Sequence, residues 1–281
     1  MSWPDSPHKG SPANGLSRGP SPRSLSTTGG VVVVKRSGDP VATRAEAAGL
    51  RWLADTGTVR VPEVRGHDDT WLVVDRVVEG RPGREAAVAF RPCAGRSARR
   101  RGARVRRAAT RRARGRVHRA RPRCATSPAP TGRAGTRSTR VLPYLRRAVD
   151  QGTVRPGEAS VVERLCETAA GTVPGRPEAP ARLHGDLWSG NVLWGADGQV
   201  WLIDPAAHGG HRETDLAMLR LFGCPHLERV LDGYRERAPL ADGWADRVGV
   251  HQLFPLLVHA VLFGRSYAEQ ALAAARAALA R

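Results

Sequence analysis

The stretch His184-Gly-Asp-Leu-Trp-Ser-Gly-Asn-Val-Leu193, followed by Val200-Trp-Leu-Ile-Asp-Pro205, constrains this chain more than any other. Asn191 follows Asp186 by five residues, and Asp204 closes a second apolar run eighteen residues after Asp186. Between them, Trp194-Gly-Ala-Asp-Gly198 reads as a hairpin turn joining two short strands. Such a hairpin returns Asp204 to the mouth at which Asn191 sits. Each of the three residues alone is an ordinary turn former; the ordered set is far more specific.

Two carboxylates and an amide at one mouth suit phosphoryl transfer, which is mostly positioning and charge neutralisation and so needs few groups, firmly placed. Asp186, on a tight loop after Gly185, is the candidate catalytic base that takes the proton of an attacking hydroxyl. Asn191 offers a neutral oxygen to a magnesium ion, and Asp204 offers the anionic one that links the metal to phosphates.

Phosphates also require a cation. Only two lysines occur in the whole chain, Lys9 and Lys35, while basic positions elsewhere use Arg. Lys35 ends a β-branched run, Val31-Val-Val-Val-Lys35-Arg36, that follows Gly29-Gly30 and reads as a buried strand. A solubilising charge at a strand end is the bland alternative. Pro40 to Asp55 reads as an amphipathic helix with Ala45, Gly49, Trp52 and Leu53 near one face, and Glu46 lies in its first half. A strand Lys paired with a helix Glu would aim the ammonium at a nucleotide. Trp71 to Gly80 reads as a further strand leading to a hinge. Downstream, helices are expected over Val141–Val149, Gly157–Ala170, Glu213–Phe222, Leu227–Arg237, Trp244–Phe263 and Tyr267–Leu279, with Pro255 kinking or breaking the fifth. The expected fold is α+β and two-lobed: a small β-rich lobe over 31–83 and a mainly helical one over 141–281.

The net charge of +19 would ordinarily suggest a nucleic-acid partner. Its location argues against that reading. Between Arg84 and Arg140 stand 19 arginines, no lysine and one acid, Glu85, so this window holds +18 and the other 224 residues only +1. The window has scarcely any Leu, Ile or Phe, so it is expected to be poorly ordered. Codon choice permits it to be a frame-shifted reading. If Arg91 to Arg99 is encoded CGG CCG TGC GCT GGC CGC TCT GCA CGC, a start one base later yields GRALAALHA, an apolar-periodic helix. Residues 1–30 have no period of 2 or 3.6 and read as disordered or frame-shifted; Pro20 to Gly29, displaced, can yield a strand and turn.

Other composition is less specific. Cys93, Cys124, Cys166 and Cys224 are scattered without a C-x-x-C pair, which suggests neither a zinc site nor a disulfide framework. No apolar run approaches the ~20 residues that span a bilayer, and no signal peptide is legible, so a cytoplasmic protein is expected.

HGDLWSGNVLW, WLIDPAAHGGHRETDLAMLRLFG and HQLFPLLVHAVLFGRSY together resemble the fructosamine kinase (ketosamine-3-kinase) family, closely over 141–281 and more loosely over 31–80. The resemblance implies a protein-kinase-like fold, ATP with Mg2+, and phosphorylation of the 3-hydroxyl of sugar-derived ketoamines. It implies Asp186 as catalytic base, Asn191 and Asp204 as metal ligands, and Lys35 with Glu46 as the pair that orders the phosphates. Asp215 matches a structural aspartate bracing the catalytic loop, and His184 reads as a buttress of that loop. His208 and His211 read as loop residues; Trp188, Gln252 and His259 could face an acceptor or simply pack. The sequence departs from the family at two places. No glycine-bearing nucleotide loop is legible in 1–30, and the Arg-rich block stands where a helix is expected between hinge and helical lobe. Weak or absent activity is therefore expected of the chain as written. An aminoglycoside- or choline-type phosphotransferase, an inactive frame-damaged remnant and a nucleic-acid-binding protein remain alternatives. The partner is expected to be a small-molecule or protein-bound ketoamine, without a membrane.

Overall fold

The computed structural model describes residues 23–27, 30–90, 135–171 and 178–280. The first lobe is an antiparallel sheet of β1 (Arg23–Thr27), β2 (Gly30–Arg36), β3 (Val64–His67) and β4 (Trp71–Asp75), in the order β1-β2-β4-β3. In β2, Lys35 stands opposite Leu72 and Arg36 opposite Trp71, so the lysine lies at the strand's outgoing end. Helix α1 (Pro40–Ala54) starts where Asp39 accepts a hydrogen bond from the Val41 amide at 3.0 Å, with Pro40 in the first turn, where no amide is needed. Its buried face is Thr43, Ala47, Gly49, Leu50 and Leu53, rotated from the expected stripe, and leaves Trp52 and Glu46 half-buried at its edges.

The hinge segment runs beside the hairpin of β6 (Val192–Trp194) and β7 (Val200–Leu202), with Gly80 donating to the Trp194 carbonyl at 2.6 Å and Ala196 to that of Val78 at 2.8 Å. One apolar cluster therefore spans both lobes: Leu50, Leu53, Leu72 and Val74 share it with Leu187, Trp194 and Leu202. The helical lobe has a second core among α3 (Gly135–Asp150), α4 (Pro156–Gly171), α7 (Trp244–Phe263) and α8 (Arg265–Leu279). A third lies between β5 (Ala181–Leu183), α5 (Glu213–Phe222) and α6 (Leu227–Arg237). Among the described residues no helix is long and apolar enough to cross a membrane.

The structure corrects three expectations. Residues 23–27, placed within a disordered or frame-shifted 1–30, form the edge strand β1: Ser24, Leu25 and Ser26 are exposed, so backbone pairing with β2 sets the strand without an apolar alternation. The Arg-rich window is structured at both ends. Helix α2 (Arg84–Ala89) buries Ala86 and Ala87 in the shared core, with Phe90 just beyond it, while Arg84 and Glu85 face solvent, and α3 begins at Gly135. Small side chains suffice there because the partner surface already exists. Helix α7 runs through Pro255 as one element, so it is not broken there; the missing amide costs about 3 kcal/mol, offset by burying Pro255 beside Leu253, Leu256 and Leu257 in the second core. The expectations for 1–22, 28–29 and 91–134, including the displaced reading of Arg91 to Arg99, lie outside the described residues.

Candidate active site

Strand β5 delivers the loop. Gly185 has φ 83°, and a Cβ there would stand 2.3 Å from the Ala206 carbonyl oxygen, so only glycine lets the chain turn at this depth. Beneath it lies Asp215, in the first turn of α5 and 1% exposed. Its two carboxylate oxygens accept from the amides of His184 at 2.7 Å and Gly185 at 3.0 Å. His184 is fully buried, with one ring nitrogen on the Ile203 carbonyl at 2.8 Å and the other facing the Asp186 amide at 3.3 Å. Burial lowers its pKa to about 4, so the ring is a neutral strut that donates to Ile203 and accepts from Asp186. It therefore ties Ile203, the residue before Asp204, to Asp186. His184 and Asp215 thus both hydrogen-bond to the backbone of the loop that carries Asp186.

Asn191 donates through Nδ2 to the Asp186 carbonyl at 2.8 Å and to Asp186 Oδ2 at 3.2 Å. Its amide oxygen stays available as a neutral ligand. Burial pushes the Asp186 carboxyl above the ordinary aspartate value, opposed by the Asn191 hydrogen bond and the proximity of His259. Asp204 adopts a left-handed backbone, φ 54°, and its side chain remains 48% exposed at the mouth.

Lys35 Nζ binds Glu46 Oε1 at 2.8 Å and pairs directly with Asp204 Oδ1, 169 residues away in sequence. The ion pairs are asymmetric. Burial pulls the Lys35 ammonium down, but the carboxylates of Glu46 and Asp204 together outweigh it and hold it above its ordinary value. Burial, with the nearby Asp204 carboxylate, pushes the Glu46 carboxyl up despite Lys35. Lys35, Glu46, Asp186, Asn191 and Asp204 are thus brought to one cleft between the lobes. The oxygen-only donor set of Asn191 and Asp204, with Asp204 half open to solvent, fits a hard divalent cation such as Mg2+.

The remaining candidates separate. Gln252 donates to the Ala217 carbonyl at 2.8 Å and is a packing residue. His208 bridges the Ala206 carbonyl at 2.9 Å and Arg140 at 2.7 Å. His211 stacks on His251 beside Glu213, whose two oxygens accept from Arg247 at 2.6 and 2.8 Å, a buried ion pair that anchors α5 to α7. His259 instead joins Phe222 at 4.9 Å, Phe263 at 5.3 Å and Tyr267 at 5.1 Å between ring centroids, with Trp188 edge-on to Phe222 at 6.4 Å. Trp188 and Phe263 are 41% and 50% exposed. Sequence reasoning singled out Trp188 and His259 but missed Phe222, Phe263 and Tyr267 beside them; the His259–Phe263 spacing of four on one helix face was the available signal.

The family model described as fructosamine kinase matches residues 137–281, which is half of the chain. This chain belongs to the fructosamine kinase family. A probable ketoamine kinase of Enterococcus faecium is 44% identical over 107 residues, 38% of this chain and 38% of that protein. The matched stretch thus spans well under half of that curated relative. A crystal structure from Thermobifida fusca YX-ER1, described as a candidate fructosamine-3-kinase, is 38% identical with a TM-score of 0.73, covering 92% of this chain and 90% of that one. The choline kinase LicA of Streptococcus pneumoniae shares the fold alone, at 14% identity and TM-score 0.57, over 92% and 90% of the two chains. The fold is protein-kinase-like, a small antiparallel sheet above a helical lobe.

Proposed function

We propose that this fructosamine kinase family member transfers the γ-phosphate of ATP to the 3-hydroxyl of a ketoamine, a sugar-derived adduct on a small amine or a protein lysine. The observation that carries the proposal is the meeting of Lys35, from the β lobe, with Glu46 and Asp204 next to the Asp186–Asn191 pair. Mg2+, held by Asn191 and Asp204, would neutralise phosphate charge when bound. Lys35 presents its ammonium to the phosphates, and Glu46 holds that ammonium in place. The acceptor oxygen forms a bond to the γ-phosphorus while the bond to the bridging oxygen of ADP breaks; Asp186 takes the hydroxyl proton and passes it to solvent. A carboxyl raised by burial holds that proton more readily than an ordinary aspartate.

Trp188, His259 and Phe263 offer the ketoamine a wall on the Asp186 side of the cleft. Exposed aromatic faces pack on the C–H face of a sugar while leaving its hydroxyls free for the loop. Support for a ketoamine over an aminoglycoside or choline comes from the family and the 38%-identical structure, since the choline kinase shares the fold only. The proposed setting is the cytoplasm, with a small-molecule or protein-bound substrate. For 91–134, we propose a displaced reading frame rather than a nucleic-acid arm.

The test is ADP release by the full chain with Mg–ATP and a panel of acceptors: a 1-deoxy-1-amino-fructose adduct, an aminoglycoside and choline. Turnover with the fructose adduct alone supports the proposal; turnover confined to either of the others overturns it.

A further inference from the structure

The Lys35–Glu46 pair depends on where α1 sits, and the helical lobe holds α1 at two points. At mid-helix, Gly49 backs onto the loop after Asp204. A Cβ there would stand 3.1 Å from the Ala207 Cβ and 3.4 Å from the Pro205 Cγ, so the glycine allows a backbone-close approach. At the helix end, the Trp52 carbonyl accepts a 2.5 Å hydrogen bond from Arg182 Nη1, and the same guanidinium lies 4.9 Å from the centroid of the Trp52 ring.

The partners of the neighbouring carbonyls show what this bond does. Arg51 accepts from the Asp55 amide, Leu53 from those of Asp55 and Thr56, and Ala54 from Gly57, all within the turn that closes α1. The Trp52 carbonyl is filled from the other lobe. A cation on the terminal carbonyls of a helix also sits where the helix dipole is negative. Arg182 belongs to β5, two residues before His184 and four before Asp186. One guanidinium therefore joins the helix that carries Glu46 to the strand that delivers the catalytic loop.

We infer that Arg182 is a positioning residue for nucleotide binding: by capping and stacking on the end of α1, it keeps Glu46 against Lys35, so the phosphate-ordering cation is assembled before nucleotide arrives. The inference rests on the phosphotransferase reading of the cleft, but it needs no acceptor. It distinguishes a pre-assembled site from one in which nucleotide draws α1 inward, because only the first depends on a contact made outside the nucleotide's reach.

The experiment is calorimetric titration of the full chain with Mg–ADP, comparing Arg182→Met, Glu46→Gln and the double variant. Methionine keeps an apolar stem over Trp52 and removes the charge and the bond. Arg182→Met is expected to weaken binding about 5–30-fold, the range for one charge-assisted contact with a stacked cation. The double variant should bind no more weakly than the weaker single one, since both act through the same ammonium. Arg182→Lys, which restores a cation over the ring and carbonyl, should recover most of the loss. Additive losses, or wild-type affinity in Arg182→Met, would overturn the assignment; a merely structural arginine gives additive losses. If the unmutated chain binds no Mg–ADP, the phosphotransferase reading fails, and amide exchange in the nucleotide-free protein decides for Arg182. Faster exchange in Arg182→Met confined to α1 supports the positioning role, and exchange equal to wild type rejects it.

Discussion

Replacing Asp215 tests whether the loop carrying Asp186 is held from beneath. The carboxylate is 1% exposed and accepts from two backbone amides, those of His184 at 2.7 Å and Gly185 at 3.0 Å. Asp215→Ala removes both acceptors and leaves one buried donor, His184, and one part-buried donor, Gly185, to be satisfied by rearrangement. At about 1–3 kcal/mol for each orphaned donor, the loss is about 2–6 kcal/mol. That is a large fraction of the ~5–15 kcal/mol by which a domain is ordinarily stable. Asp215→Asn keeps one acceptor but turns an amide N–H toward the second donor, so it should cost about half as much. Urea unfolding followed by far-UV circular dichroism reads the stability, and phosphoryl transfer by the folded fraction reads the site. The alanine variant should unfold at a clearly lower urea concentration. The asparagine variant, still folded, should lose at least about tenfold in kcat with a smaller change in KM for ATP, because the displaced group is the proposed base rather than the proposed nucleotide contact. An Asp215→Ala protein with wild-type urea midpoint and wild-type kcat would refute the bracing role.

Three further outcomes are expected. The proposed base role of Asp186 requires its ionised form, and its carboxyl is raised by burial, so kcat should fall with acid at a pH above the ordinary aspartate range; a limb at or below that range contradicts the assignment. His184, His208 and His211 are each lowered from 6.5 to about 4 by burial, so the unfolded chain binds more protons between those values. Stability should therefore be full above about pH 6.5, fall as pH drops toward 4 and level off below, which urea midpoints at pH 7, 5.5 and 4 would show; midpoints independent of pH across this window contradict the neutral-strut reading. Sequencing the gene across the codons for 91–134 should show a single-base displacement that restores a helix-forming text, and restoring it should raise phosphoryl transfer; an uninterrupted frame shared by related genes rules the displacement out.

Much of the site was legible because its residues sit in one continuous segment whose hairpin spacing sets their geometry. The turn at Trp194 to Gly198 and the strands either side of it needed only local pattern, and the extents of α5, α6 and α7 follow from apolar residues at three- and four-residue spacing. The Lys35–Glu46 pair was legible from its scarcity and its strand-to-helix order. What escaped depends on tertiary context. Strand β1 has no apolar alternation because it is an edge, and α2 buries only the small side chains of Ala86 and Ala87 because its partner surface is preformed. Pro255 is tolerated because α3, α5 and α8 hold the helix around it. The aromatic wall draws on the catalytic loop, α5, α7 and α8, and Arg182 shows its role only once the Trp52 carbonyl lies beside it.

The most direct test of the proposed site is a single turnover with the full chain in excess over Mg–[γ-32P]ATP and saturating fructosamine adduct, run beside Asp186→Asn. Excess enzyme makes even slow transfer visible. The expected result is label on the sugar as a 3-phosphate monoester, formed at least about a thousandfold faster by the unaltered chain than by Asp186→Asn, as befits loss of a general base acting with its loop. Label that never reaches the sugar although the folded chain binds Mg–ATP, or equal rates for the two proteins, would contradict it.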